Sequence, residues 1–124
     1  MSPAVLICGE DFSSVQSLHV LVESQGYTAD ASSHPSEIVK LCLRNRYKLG
    51  IVALGSVAAE DNSGREMVRL LHEVDPSLPV AAVSDPESLQ DERELRSLGI
   101  FYLLTTPLSR KELGDVVRCA LRKP

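Results

Sequence analysis

Few side chains in this sequence are of a type and spacing that could do chemistry. Cys8, Cys42 and Cys119 are odd in number and widely spaced, with no CxxC pair. Neither a zinc site nor a disulfide framework follows from them, and they read as reduced, small core residues of a cytoplasmic protein. His19, His34 and His72 show no metal-ligand spacing, so structural or solvent roles are expected for all three. Ser13-Ser14 and the other serines form no G-x-S-x-G elbow, and Gly9 stands alone rather than in a phosphate-cradling glycine loop. In open α/β sheets the chemistry sits just past the carboxyl ends of the central strands. Here the apolar run Leu49–Leu54 is followed by Gly55 and Ser56, with no carboxylate, thiol or imidazole.

The elements that would position such a site are legible from periodicity. Leu49-Gly50-Ile51-Val52-Ala53-Leu54 is apolar on consecutive residues, which suits a strand buried on both faces. Val5-Leu6-Ile7-Cys8 and Pro79-Val80-Ala81-Ala82-Val83 repeat the pattern, and Ile100-Phe101-Tyr102-Leu103-Leu104 supplies a last strand. Tyr27–Ala31 alternates and predicts an edge strand exposed on one face. Between the strands, Val15, Leu18, Leu21 and Val22 recur at helical spacing up to Gly26, a C′ glycine. Ser33 or His34 caps a second helix with Pro35 in its first turn and a stripe of Ile38, Val39, Cys42 and Leu43. Ser63–Glu66 and Ser109–Glu112 have the capping-box pattern, and a further helix over 86–98, begun at Asp85-Pro86, has the weakest apolar stripe. Parallel strands need crossover helices, and right-handed crossovers cover both faces of the sheet. The prediction is a three-layer, doubly wound α/β sandwich with five parallel strands in order 2-1-3-4-5 and the central strand at 49–54.

The bulk numbers bound the function. A chain of 124 residues, 44% hydrophobic and 24% charged, fits one soluble domain over residues 1–124. The net charge of −4 offers no overall field for nucleic acid or anionic lipid, and no apolar run reaches the length of a membrane span. The N-terminus has no basic n-region, so no signal peptide is expected and the cytoplasm is the expected location. Aromatic residues are 4% with no Trp, which leaves little to stack on a flavin or base bound over the strand ends.

The order of elements, and several residues within them, resemble the receiver domain of bacterial response regulators over essentially the whole chain. The resemblance implies a flavodoxin-like, CheY-like fold. It also implies an acidic pair after the first strand that binds magnesium, and a phospho-acceptor aspartate after the third. A hydroxyl after the fourth strand and a lysine before a proline after the fifth complete the family's site. Glu10-Asp11 fall at the acidic pair, with Gly9 the alternative for its first slot, and Ser84 at the hydroxyl. Gly64 and Gly99 match scaffold glycines. The acceptor falls at Gly55, with Ser56 the near alternative; the lysine position is Thr106, ahead of Pro107, and Leu103 takes the aromatic switch position. A cis peptide at Thr106-Pro107 is also implied.

Glycine has nothing with which to attack phosphorus, and a threonine hydroxyl is no substitute for an ammonium on the incoming oxygens. The expectation is a degenerate receiver: not an enzyme, with no cofactor beyond weak magnesium at Glu10 and Asp11. It would act by binding a protein partner, whether another receiver, an output domain or a histidine kinase, and neither nucleic acid nor membrane directly. Asp11 as a helix cap is the competing role for the acidic pair. A phosphotransfer-competent receiver with an unusual acceptor is the alternative function. The expected interaction face is 86–122, where Phe101 and Tyr102 lie between a helix bearing Asp85, Glu87, Asp91, Glu92 and Glu94 and one bearing Arg110, Lys111, Arg118 and Arg122, followed by Lys123. Opposite charges on those helices suit a two-fold, homodimeric contact.

Overall fold

The computed structural model describes residues 3–55, 63–84 and 96–122. The elements run β1 (Val5–Gly9), α1 (Phe12–Ser24), β2 (Ala29–Ser32), α2 (Pro35–Arg44), β3 (Leu49–Gly55), α3 (Ser63–Val74), β4 (Val80–Ser84), β5 (Tyr102–Thr105) and α4 (Arg110–Arg122). All neighbouring strands pair parallel, in the order β2-β1-β3-β4-β5. This is the predicted sandwich, with β3 central. The expected helix at 86–98 lies outside the described residues up to Leu95, as does Ser56.

Consecutive apolar residues have two faces to fill, and both are filled. Val5 and Ile7 of β1, Leu49 and Ile51 of β3 and Ala81 and Val83 of β4 face α1 and α4. Their partners there are Val15, Leu18 and Val22 on one helix and Leu113, Val116, Val117 and Ala120 on the other. Leu6 and Cys8, Val52 and Val80 face the opposite way, into Ile38 of α2 and Met67, Val68 and Leu71 of α3. Each fully buried aliphatic side chain of this kind contributes about 1.5–3 kcal/mol relative to exposure.

The helix ends follow local chemistry. Asp11 caps α1, and Gly26 beyond its C-terminus has φ +91, a left-handed conformation that glycine adopts without a Cβ penalty. His34 is the N-cap residue of α2 but its side chain makes no capping bond; Pro35 follows at the first turn. Ser109 Oγ accepts the Glu112 amide at 3.2 Å, one half of the expected capping box.

Several details depart from the sequence reading. Strand β2 begins at Ala29 rather than at residue 27, and its outer face is not simply solvated: Asp30 accepts the Tyr47 hydroxyl at 2.6 Å. Strand β5 begins at Tyr102, two residues later than expected. Leu43 is 75% exposed, and the inner stripe of α2 runs through Ile38, Leu41 and Cys42, because position 43 lies past the face that meets the sheet. Cys119 is exposed, so only Cys8 is a buried cysteine of the kind expected.

Candidate functional site

The upper rim of the sheet, at the C-terminal ends of the strands, gathers the positions that the sequence singled out. Gly55 pairs with Ser84 across a register irregularity between Ala53 and Gly55. Ser84 pairs in turn with Thr105, and the Thr106 amide donates to the Ser84 carbonyl at 3.0 Å. Gly55, Ser84 and Thr106 therefore lie side by side on three adjacent strand ends. The Thr106-Pro107 peptide is cis, as the resemblance implies. Ser84 is buried, while Thr106 and Pro107 are exposed.

Glu10 and Asp11 follow β1 directly but diverge. Asp11 turns onto α1, where its carboxylate accepts the Ser14 hydroxyl at 2.7 Å and the Ser13 amide at 3.2 Å. The Ser14 hydrogen bond, helped by Ser13, holds its carboxyl below the ordinary carboxylate range. Glu10 instead borders a cavity of about 280 Å³ on the other side of the sheet, beside Pro35, Glu66 and Met67. A hard divalent ion takes six or more oxygen ligands with charge among them. Among the described residues no group of three or more His, Cys, Asp or Glu converges on such a point. A Cβ at Gly9 would come to about 3.0 Å from Ala53 Cβ and Val15 Cγ2, so the backbone there packs too closely for a side chain.

A cavity of about 420 Å³ opens between α1 and these strand ends. Its polar lining residues are Ser13, Ser14, Ser17, Ser84 and Thr106, and its apolar ones include Leu18, Ala53, Val83 and Leu108. Ser13 and Ser14 form no nucleophile elbow, yet with Ser17 they share one face of α1, a spacing that marks them as cavity lining. Among the described residues no base lines this cavity. The nearest imidazole in sequence, His19, is committed elsewhere: its Nε2 lies 2.9 Å from the Ala29 carbonyl oxygen and 2.7 Å from Glu23 Oε1, tying α1 to β2. Cys8 is no nucleophile either, because burial raises its thiol far above the usual range.

The expected interaction residues are only partly gathered. Tyr102 is 41% exposed, whereas Phe101 is half-buried against the core on the α1 side and donates its amide to Val80. Arg118 and Arg122 are exposed on α4, and Arg118 Nη1 is 3.3 Å from Asp115 Oδ1. Arg110 is drawn away from that face, with Nη2 donating to Ser24 Oγ at 3.2 Å and its carbonyl accepting Gln25 Nε2 at 2.9 Å. The acidic residues from Asp85 to Glu94, and Lys123, lie outside the described residues.

No protein-family model matches the chain, and no curated protein matches it. Solved structures do. A CheY-like response regulator receiver domain protein from Methanospirillum hungatei is 17% identical with a TM-score of 0.75, over 98% of this chain and 94% of that one. The receiver domain of a Francisella response regulator is 23% identical with a TM-score of 0.74, over 95% of each chain. The signal receiver domain of a modulated diguanylate cyclase from Desulfovibrio desulfuricans is 20% identical with a TM-score of 0.75, over 98% and 94%. No helix among the described residues is long and apolar enough to cross a membrane. At these identities the likeness is one of architecture, and the chain has the flavodoxin-like fold of CheY-like receiver domains.

Proposed function

We propose that this protein is a receiver-like signalling module that works without phosphorylation, through contacts with protein partners. The observation that carries this reading is the row Gly55–Ser84–Thr106: three strand ends align where the receiver resemblance expects a reaction site, and Gly55 and Thr106 offer there only a hydrogen and a neutral hydroxyl. An aspartyl phosphate needs a carboxylate nucleophile, and its formation needs charge on the incoming oxygens. The divergence of Glu10 from Asp11 supports the same reading, because the cation that would bring phosphate in has no convergent donor set among the described residues. What remains is a folded surface. On it, Tyr102, Arg118 and Arg122 are exposed and suit recognition of another receiver, an output domain or a histidine kinase, or a second copy of the chain.

Incubation with acetyl phosphate and Mg²⁺ followed by intact mass is the test. The unmodified mass is expected. A phosphate adduct mapped to Ser56 or to the 57–63 loop would replace this reading with that of an active receiver using an unusual acceptor. For the partner face, charge reversal at Arg118 and Arg122 is expected to weaken self-association or partner binding in a salt-dependent way. A monomer at high concentration whose partners bind the reversed variant unchanged removes that face from the proposal.

A further inference from the structure

The lower rim of the molecule, at the N-terminal ends of the strands, carries a charge opposite to that of the chain. Residues 40–48 hold Lys40, Arg44, Arg46 and Lys48 and no acid, which is four of the 13 Lys and Arg in a protein of net charge −4. The fold puts them on one surface. Lys40 and Arg44 are exposed and one turn apart on the outer side of α2. Beyond the helix the chain alternates: Asn45 and Tyr47 turn inward, Arg46 and Lys48 outward. Arg44, Arg46 and Lys48 border a groove of about 930 Å³. None of the four cations is paired with a described residue. Asp75, the acid on the same groove, is occupied by the Ser77 amide at 3.2 Å and the Ser77 hydroxyl at 2.7 Å.

Two further features separate this rim from an ordinary solvated helix end. Leu43 stands among the cations and is 75% exposed, the most exposed large apolar side chain among the described residues. The segment that carries Arg46 and Lys48 is also held in place. Tyr47 is buried, its hydroxyl donates to Asp30 at 2.6 Å, and Asn45 Nδ2 donates to the Leu41 carbonyl at 3.2 Å and to the Tyr47 hydroxyl at 3.3 Å. An exposed apolar side chain beside cations, next to a segment held by hydrogen bonds, suits a protein-binding surface, where apolar contact adds affinity and charge selects the partner.

We propose that this basal rim docks an acidic, amphipathic segment of a partner protein, with an apolar partner side chain on Leu43 and carboxylates on Arg44, Arg46 and Lys48. A nucleic acid fits less well, because its affinity comes from neutralised phosphates, which leave the exposed Leu43 without an apolar contact. An anionic membrane gains only a weak attraction from each cation and meets, among the described residues of this rim, a single exposed apolar side chain, Leu43, to insert.

A labelled peptide of repeated Glu-Glu-Leu, titrated with the full chain and read by fluorescence anisotropy, tests this. It is expected to bind, and more weakly as salt rises. Arg44→Glu with Arg46→Glu should weaken binding about tenfold or more, and Leu43→Ser about threefold. Arg69→Glu on α3 with Lys111→Glu on α4, a reversal of equal size elsewhere, should leave it within about twofold. All substituted side chains are exposed, and far-UV circular dichroism verifies the fold of each variant. Failure of the peptide to bind, or equal binding to the Arg44/Arg46 variant, overturns the surface. Tighter binding of duplex DNA or phosphatidylserine vesicles, lost on the Arg44/Arg46 reversal, overturns the class of partner. The phosphate-adduct result at the upper rim has no bearing on either outcome.

Discussion

The two rims of the sheet are built on the same strands and differ in how their polar groups are used. At the upper rim Gly55, Ser84 and Thr106 are aligned to within a backbone hydrogen bond, yet every described residue lining the cavity there is neutral. At the lower rim the polar groups are charged or tightly bonded: Tyr47 bridges Asn45 to Asp30, and three cations border one groove. Backbone alignment is enforced by the ladder and by packing, and it persists whatever the side chains at the strand ends do. Reactive groups and surface charges carry no such constraint, since exposed substitutions leave the core alone. One fold can therefore keep its strand ends aligned at one rim while the charge at the other is free to vary.

The sharpest test of that contrast is to place at the upper rim the carboxylate and the ammonium that the proposed reading says it lacks. Gly55→Asp alone should give no phosphate adduct with acetyl phosphate and Mg²⁺, because the lysine position remains Thr106. Gly55→Asp with Thr106→Lys should gain one, read by intact mass. If the double variant stays inert, the upper rim lacks geometry as well as side chains, with Asp11 held on α1 the first suspect. Next in size is Gly9→Ala, which presses a methyl between Ala53 and Val15 and should cost about 1–3 kcal/mol in urea denaturation. A neutral result would mean that the upper rim is looser than its packing shows.

At the lower rim, Tyr47→Phe should cost about 1–2 kcal/mol, because Asp30 loses its donor while partly buried. The pH dependence gives this a second reading. Burial, then the Asp30 hydrogen bond and charge, raise the Tyr47 phenol well above the ordinary tyrosine value. The stabilisation is fully present below about pH 10, where the unfolded phenol is still neutral, and is lost as pH rises from there toward the folded value. The gap between wild type and Tyr47→Phe should therefore narrow above about pH 10, and a constant gap would remove Tyr47 as the cause. The smallest effect is expected for Asp11→Ala, a slight fall in melting temperature at neutral pH from the lost cap of α1. Its lowered carboxyl contributes above the unfolded carboxylate range and loses that contribution as pH falls through the folded value, so the difference should fade in acid.

The sequence alone determined the architecture, for a physical reason. Runs such as Val5–Cys8 and Leu49–Leu54 bury both faces of a strand only in a sheet covered on two sides, and the helical stripes between them supply the cover. It also determined which residues meet at the upper rim, because in a parallel sheet the position just past each strand is fixed once the strands are. Side-chain direction was not legible. Glu10 and Asp11 are adjacent in sequence, and only the competing bonds of Ser13 and Ser14 decide that they part. Phe101 reads as surface until the later start of β5 turns it to the core, and Leu43 reads as core until the end of α2 leaves it outside. The basal rim was hidden for the same reason. Lys40, Arg44, Arg46 and Lys48 are spaced irregularly along the chain, and a helix end followed by an alternating strand entry is what brings them to one surface.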